Sequence, residues 1–261
     1  MKILSRLVAA LFLFIFTFGC SVKKIVYFND LSVDSTYFIK EASSFKEPII
    51  RSDDILSITI QTLDPSSSSV ANQSEVIQAI GASSASSLGN QVITGFLVDR
   101  DGHVQMTLLG KVKVAGLTTY EARALIMEQA SKYYKDPTVQ VRFANFKITV
   151  LGEVTRPATY TVPNEKISVL DALGLAGDLT IYGKRENVLL IREKGGAKEF
   201  VRLNLNDSEV FQSDYFYLRQ NDVLYVEPGK GKAAANNAAR NQTFAIIGSV
   251  LSVLIVALTR L

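Results

Sequence analysis

The sequence has few of the side chains from which catalytic and metal sites are usually built. Its 261 residues include one cysteine, one histidine and no tryptophan. A single cysteine excludes an intramolecular disulfide, and one histidine leaves few ways to assemble a hydrolase or a metal site. The formal net charge is only +3, so no long-range field attracts nucleic acid. We therefore predict a non-enzymatic protein with no cofactor, no metal and no nucleic-acid partner.

Long hydrophobic runs are also absent, because no apolar stretch reaches the roughly 20 residues of an ordinary membrane-spanning helix. The 12-residue run Leu7–Phe18 follows Lys2 and Arg6, which is typical of a signal peptide. Gly19-Cys20 comes next and resembles the lipidated cysteine of bacterial lipoproteins. We predict a signal peptide over residues 1–19 and lipidation of Cys20. A plain secretion leader that happens to contain a cysteine is the alternative.

The other apolar run, Phe244–Leu258, predicts a membrane helix over residues 243–261, preceded by a basic linker over 229–242. Fifteen apolar residues reach about 22 Å as a helix, which suits a thinner-than-average outer membrane. Small residues that let helices approach closely share one stripe of this helix; they are Ala245, Gly248, Ser249, Ser252 and Val256. Two alternatives stay open: a ring of spanning helices, or helices that pack on lipid or a partner without forming a pore.

The chain between these ends mixes strand and helix patterns, which predicts an α+β fold. Arg51–Thr62 predicts a strand, and the serine- and alanine-rich residues 64–90 predict a flexible loop. Residues 95–114 predict a β-hairpin that turns at Asp99–Gly102. This turn has the Asp-x-Asp-Gly start of a calcium loop but lacks the remaining ligands, and a solvated position is the better interpretation of His103.

Two capping boxes mark helix starts, at Thr118-x-x-Glu121 and Ser168-x-x-Asp171. We expect the first helix to end at Asp136-Pro137, because a residue before proline is disfavoured in a helix. Further strands are predicted at Thr138–Phe143, Ile148–Gly152, Val188–Arg192, Phe200–Leu205 and Val223–Val226.

Two short motifs occur twice in the chain. Arg51–Ile58 (RSDDILSI) and Arg219–Val226 (RQNDVLYV) share the pattern R-x-[DN]-D-[IV]-L-x-[IV]. Leu109-Gly-Lys-Val and Leu151-Gly-Glu-Val also match, and each precedes a capped helix. The shared order favours two small α+β units of related build, with chance similarity as the alternative.

Five segments in order resemble the bacterial polysaccharide export family of Wza-type outer-membrane lipoproteins. They are RSDDILSI, GFLVDRDGHVQMTLLGKVKVAGLTTYEA, KDPTVQV, VLGEVTRPATYTV and LRQNDVLYVEP. The resemblance covers Ile49 to Pro228. It implies a lipidated lead-in over residues 20–48, an export domain over 49–146 and a soluble-ligand-binding β-grasp domain over 147–228, followed by the linker and the membrane helix.

The resemblance also implies a function and partners. Such proteins form homo-oligomeric rings, with an octamer expected, that carry capsular or extracellular polysaccharide across the periplasm and outer membrane. They are lipid-anchored, mostly periplasmic, and work with an inner-membrane co-polymerase or tyrosine kinase. A glycan-binding or scaffold protein without a pore is the alternative. In the β-grasp region, Asp171, Asp178, Arg185 and Arg192 are candidate glycan contacts, with a solvated surface as the alternative for all four.

Overall fold

The computed structural model describes residues 26–32, 36–39, 41–62, 75–77, 93–236 and 238–260. Its strands are Ile55–Gln61 (β1), Glu75–Ile77 (β2), Ile93–Leu97 (β3), His103–Met106 (β4), Gly110–Lys113 (β5), Thr138–Phe143 (β6), Lys147–Gly152 (β7), Ala158–Thr161 (β8), Gly183–Lys194 (β9), Ala197–Leu203 (β10) and Val223–Pro228 (β11). Its helices are Thr119–Ala130 (α1), Val169–Leu175 (α2), Lys230–Asn236 (α3) and Ala238–Arg260 (α4), with a 3-10 helix at Ser208–Gln212. The α+β class is therefore confirmed.

The first unit consists of β1 to β6 and α1. Four strands form an antiparallel sheet in the order β2-β3-β1-β6, and α1 packs against β6. The predicted strand at β1 is confirmed, and its alternate residues Leu56, Ile58 and Ile60 are buried, as the two-residue repeat of a strand requires. This alternation directs one face of the sheet into the core.

The predicted hairpin over residues 95–114 is only partly correct. The turn at Asp99–Gly102 exists, because the backbone N–H of Gly102 donates to the Asp99 carbonyl at 2.9 Å. However, β3 pairs with β1 and β2, whereas β4 pairs with β5 in a separate two-stranded sheet. Phe96 and Val98 are buried, so pairing β3 with β1 keeps their apolar side chains in the core.

Part of the predicted loop over residues 64–90 is also a strand. The backbone of β2 lies inside this range and pairs with β3, with Val76 opposite Thr94. The loop prediction is therefore wrong for Glu75–Ile77, where β3 offers an open edge for pairing. The rest of residues 64–90 lies outside the described residues.

The second unit consists of β7 to β11, α2 and the 3-10 helix. Its five strands follow the order β10-β9-β11-β7-β8; β11 runs parallel to β7, and the other neighbours are antiparallel. Ile148, Val150, Leu224 and Val226 on the central strands are fully buried. Their burial places the core on one face of this sheet.

Both capping boxes form as predicted. The hydroxyl of Thr118 accepts from the Glu121 N–H, and that of Ser168 accepts from the Asp171 N–H. The first helix, however, ends at Ala130 rather than at Asp136-Pro137. The Ser131 hydroxyl donates to the Met127 carbonyl at 2.8 Å, and this local bond competes with continuation of the helix.

The linker predicted over residues 229–242 is instead largely helical, in α3 and the start of α4. The reason is its alanine content, since alanine has the highest helix propensity. Among the described residues, no helix is long and apolar enough to cross a membrane. The structure therefore does not support the predicted membrane helix.

The segment before β1 packs against the second unit, although the first unit follows it in sequence. The Phe28 and Asn29 N–H groups donate to the Leu205 and Asn206 carbonyls at 3.2 and 2.8 Å. The Phe28 and Phe211 rings lie 5.0 Å apart. This N-terminal segment thus connects the beginning of the described chain to its C-terminal unit.

Candidate functional site between the two units

The two copies of the R-x-[DN]-D motif fold into matching turns. Asp54 accepts a hydrogen bond from the Arg51 backbone N–H at 2.7 Å, and Asp222 accepts one from the Arg219 N–H at 2.7 Å. The third motif residue is left-handed in both turns, with φ values of 70° and 65°. Asp and Asn occupy this conformation more readily than most residues. The repeated motif therefore encodes a repeated local geometry.

Asp222 in the second turn forms a buried ion pair with Arg192 of β9. The Arg192 Nε donates to Asp222 Oδ1 at 3.0 Å and its Nη2 to Oδ2 at 2.6 Å. Their side chains are only 3% and 1% exposed. Arg192 Nη2 also donates to the Tyr217 carbonyl at 3.0 Å. This two-point contact is the favourable geometry for a guanidinium and a carboxylate, and it connects β9 to the turn before β11.

Asp54 in the first turn has an amide as its side-chain partner instead. Gln220 of the second turn donates from Nε2 to Asp54 Oδ1 at 2.9 Å and to Asn145 Oδ1 at 3.3 Å. The same Asn145 oxygen accepts from the Ile55 N–H at 3.0 Å. Because Asn145 lies between β6 and β7, these bonds join the two turns at the junction of the units.

A cavity of about 240 Å³ lies beside this junction. Its walls come from the chain before β1, both turns, the end of β6, the loop before α2 and β9. The lining residues are Phe45, Lys46, Glu47, Pro48, Ile49, Arg51, Asp54, Phe143, Glu165, Arg192, Glu193, Leu218, Arg219, Gln220 and Asn221. Both copies of the repeated motif thus contribute to one cavity.

Burial changes the acidity of two carboxyl groups in this cavity. It raises the pKa of Asp54, although the hydrogen bond from the Arg51 N–H and the Arg51 charge act in the opposite direction. Burial also raises the pKa of Glu165, and nearby Glu47 raises it further. Ionisable groups with shifted pKa values are common in functional sites, which favours this cavity as the site for further consideration.

The predicted glycan contacts have different surroundings. Asp171 accepts from the Ser168 N–H at 2.8 Å within the capping box. Asp178 accepts from the Tyr27 hydroxyl, and the Arg185 guanidinium lies 5.2 Å from the Tyr27 ring centre. The structure therefore places Asp178 and Arg185 each against Tyr27, and it places Arg192 in the interdomain cavity, paired with Asp222. Glycan contact stays a prediction for all four.

Tyr27 is a residue that sequence reasoning missed. It lies in the N-terminal segment, where no hydrophobic period marks a structural role, and Asp178 is 151 positions away in the sequence. Burial raises the pKa of Tyr27, and the hydrogen bond to Asp178 raises it further. Gln220 was missed for a similar reason, because its partners belong to the other unit.

The small-residue stripe of α4 lies on an exposed helix. The Ser249 hydroxyl donates to the Ile246 carbonyl at 2.8 Å, and the Ser252 hydroxyl to the Gly248 carbonyl at 2.6 Å. These hydroxyls are therefore hydrogen-bonded within the helix. Contact between stripes of neighbouring copies stays a prediction, and Cys20 lies outside the described residues. Within the described part of the chain, no cluster of three or more His, Cys, Asp or Glu residues could hold a metal ion.

The fold and the cavity define a two-unit α+β protein with a small concave site at the junction of its units. Residues 42–144 match the family described as polysaccharide biosynthesis/export protein, and residues 147–201 match the SLBB domain. These two matches, in this order, support a bacterial polysaccharide export family for this chain. This family provides a transport component rather than an enzyme, so the prediction of a non-enzymatic protein is confirmed.

Two curated relatives have the same name, EPS I polysaccharide export outer membrane protein EpsA. The protein from Ralstonia solanacearum is 28% identical over 144 residues, which cover 54% of this chain and 38% of the relative. The protein from Ralstonia nicotianae is 28% identical over 143 residues, which cover 53% of this chain and 37% of the relative. The chain therefore spans well under half the length of either relative.

Proposed function

We propose that this protein is an outer-membrane component that exports capsular or extracellular polysaccharide. The observation that carries the proposal is the match of both family segments, in order, across residues 42–201. The printed names of the two relatives, polysaccharide export outer membrane proteins, support the same location and process. Lipidation at Cys20 would attach the protein to the membrane, with most of the chain in the periplasm.

We further propose that several copies form a ring that encloses the polymer path. The exposed apolar side chains of α4 support contact with lipid or other copies, since water is a poor environment for them. Six of these side chains are more than half exposed: Phe244, Ile246, Ile247, Val250, Leu251 and Val253. Polymer would move passively, driven by its synthesis and by an inner-membrane co-polymerase or tyrosine kinase.

The export proposal is tested by deleting the gene and measuring polysaccharide on the cell surface and inside the cell. We expect surface polymer to be lost and polymer to accumulate inside, with full recovery when the complete chain is restored. A strain that keeps normal surface polymer without this chain would contradict the proposal.

A periplasmic glycan-binding or scaffold protein without a pore is the second candidate, favoured by the weakly polar stripe of α4. A chain that ends at residue 242 separates the two candidates. The conduit requires the helix, so the truncated chain should fold but fail to restore export. Restored export by this truncated chain would instead favour the scaffold.

A further inference from the structure

The acidic and the basic side chains that line the interdomain cavity differ in whether protein groups already pair with them. Asp54 has Gln220 as a donor, and Glu165 accepts from the Thr119 hydroxyl at 3.0 Å. Glu193 pairs with Lys198 at 2.6 Å. Three carboxylates in the lining are therefore already hydrogen-bonded to protein groups, and only Glu47, which is exposed at the edge, has no such bond within the described residues.

The guanidinium groups of Arg51 and Arg219 differ from these acids. Each arginine gives its backbone N–H to the turn, whereas its side chain is exposed and lines the cavity. In the part of the chain that the structure describes, neither guanidinium forms an ion pair. The pKa of Glu193 is lowered mainly by the hydrogen bond and charge of Lys198, and the Arg51 charge lowers it further, which places Arg51 near the cavity wall formed by β9.

We propose that this cavity binds an acidic sugar unit of the exported polymer, with Arg51 and Arg219 holding its carboxylate. The inference rests on the proposed export function and specifies its substrate class. A guanidinium presents parallel N–H donors that match a carboxylate. Because the two arginines occupy the same position in two equivalent turns, the repeated motif delivers two such donors to one cavity.

The rest of the cavity suits a sugar ring. Phe45 and Phe143 supply apolar surface for the C–H face of the ring, and Glu47 supplies an acceptor for its hydroxyls. A small number of polar groups in an otherwise apolar concave surface is typical of small-molecule sites. The volume of about 240 Å³ is below the range for drug-sized ligands, so we infer that one sugar unit enters while the polymer continues outside.

The proposal is tested by calorimetric titration of the full-length protein in detergent with a galacturonic acid trimer. The matched probe is the same trimer with its carboxylates reduced to alcohols. We expect the acidic trimer to bind, the reduced trimer to bind at least tenfold more weakly, and affinity to fall as sodium chloride is raised.

Two single variants and their combination test the residues themselves. Arg51→Gln and Arg219→Gln keep the backbone N–H that caps each turn, so folding should be preserved. Each should weaken binding about tenfold, the effect of losing one charge-assisted contact, and the double variant should weaken it further. Arg202→Gln is the control, because Arg202 lies on β10 outside the cavity lining and should bind the trimer normally.

Equal binding of the acidic and reduced trimers, full binding by the double variant, or no binding of the acidic trimer would each overturn the site. Tight binding of inorganic phosphate alone would overturn its assignment to a sugar. The gene-deletion experiment separates this result from the export proposal. A chain that restores surface polymer but fails the titration removes the acidic-sugar site and leaves the export function standing.

Discussion

Asp54 and Asp222 occupy the same position in matching turns but have opposite electrostatic environments. Both accept a backbone hydrogen bond at 2.7 Å from the residue three positions earlier. Asp222 is then neutralised by buried Arg192, whereas the side-chain donor to Asp54 is the neutral amide of Gln220, with the Arg51 charge acting from nearby. Local sequence therefore determines the shape of the turn, and tertiary topology determines the partner of its carboxylate.

The physical reason lies in the strand beside each turn. In the second unit, β9 is antiparallel to β11, with Val223 opposite Ile191, and Arg192 follows directly. In the first unit, β3 takes the antiparallel position beside β1 and places Leu97 opposite Ile55. A structural ion pair is therefore specific to the second turn, and the first turn is connected to the neighbouring unit instead.

The largest expected effect is the loss of the ion pair in the second turn. Asp222→Asn keeps an acceptor for the Arg219 N–H but leaves Arg192 buried without a counterion. We expect the free energy of unfolding to fall by about 3–5 kcal/mol, measured by urea unfolding at pH 7. Combining it with Arg192→Met removes both charges and should recover most of the loss. A decrease below about 1 kcal/mol for Asp222→Asn would contradict the structural role of the pair.

The second repeated motif provides a similar contrast between two glycines. Gly152 has φ of +91°, and a Cβ there would lie 2.0 Å from the Val226 carbonyl oxygen, whereas Gly110 has φ of +71° and open space around it. Gly152→Ala should destabilise the protein by about 3 kcal/mol, because left-handed strain adds to a backbone clash. Gly110→Ala should lower the free energy of unfolding by only about 1 kcal/mol. Thermal unfolding checks both, and equal losses would show that the crowding at Gly152 is unimportant.

The two helix caps should differ by a smaller amount. Ser168 is only 7% exposed, whereas Thr118 is half-buried. Water can replace a lost cap more easily at Thr118. Thr118→Ala should therefore lower the free energy of unfolding by about 1 kcal/mol, and Ser168→Ala by about 2 kcal/mol. Urea titration measures both, and the reverse order would contradict the comparison.

The smallest effect at neutral pH is expected at Asp54. Because burial raises the pKa of Asp54 in the folded state, the folded protein holds this proton more tightly than the unfolded chain does. The associated stability is complete below the unfolded pKa of about 3.9 and is lost as the pH rises through the folded pKa. Asp54→Asn should thus change stability by less than about 1 kcal/mol at pH 7.

The pH dependence of stability tests the role of Asp54 more sharply than the stability at pH 7 alone. Lowering the pH from 7 to 4 should stabilise the wild-type protein relative to Asp54→Asn, measured by urea unfolding at each pH. If Asp54→Asn lowered the free energy of unfolding at pH 7 as much as Asp222→Asn does, the two turns would not differ in the way described.

The local features of the fold could be predicted from sequence, because they depend on neighbouring residues. The capping boxes at Thr118 and Ser168, the strand at β1 and both left-handed turns depend on such short-range patterns. The pairing of β3 with β1 and the contact of Tyr27 with Asp178 could not be predicted, because their partners are far apart in the chain. The helices over residues 230–236 and 238–242 differ from the predicted linker, because the alanines favour helix although the segment begins with Gly-Lys-Gly-Lys.

The candidate cavity likewise combines short-range features that the sequence shows with long-range contacts that it does not show. The repeated motif was visible in the sequence. That its two copies line one cavity depends on how β6 leads into β7 through Asn145. The sequence could not show that Arg192 has a buried partner, because Asp222 lies 30 positions away. A motif therefore predicts a turn but not the groups that surround it.

The central claim is that several copies of this chain assemble into one export conduit. The most direct test is the mass of the purified full-length protein in detergent, measured by native mass spectrometry. We expect one assembly with several times the mass of one chain, for which the full sequence gives 28.6 kDa. A monomer under every detergent and salt condition would contradict it.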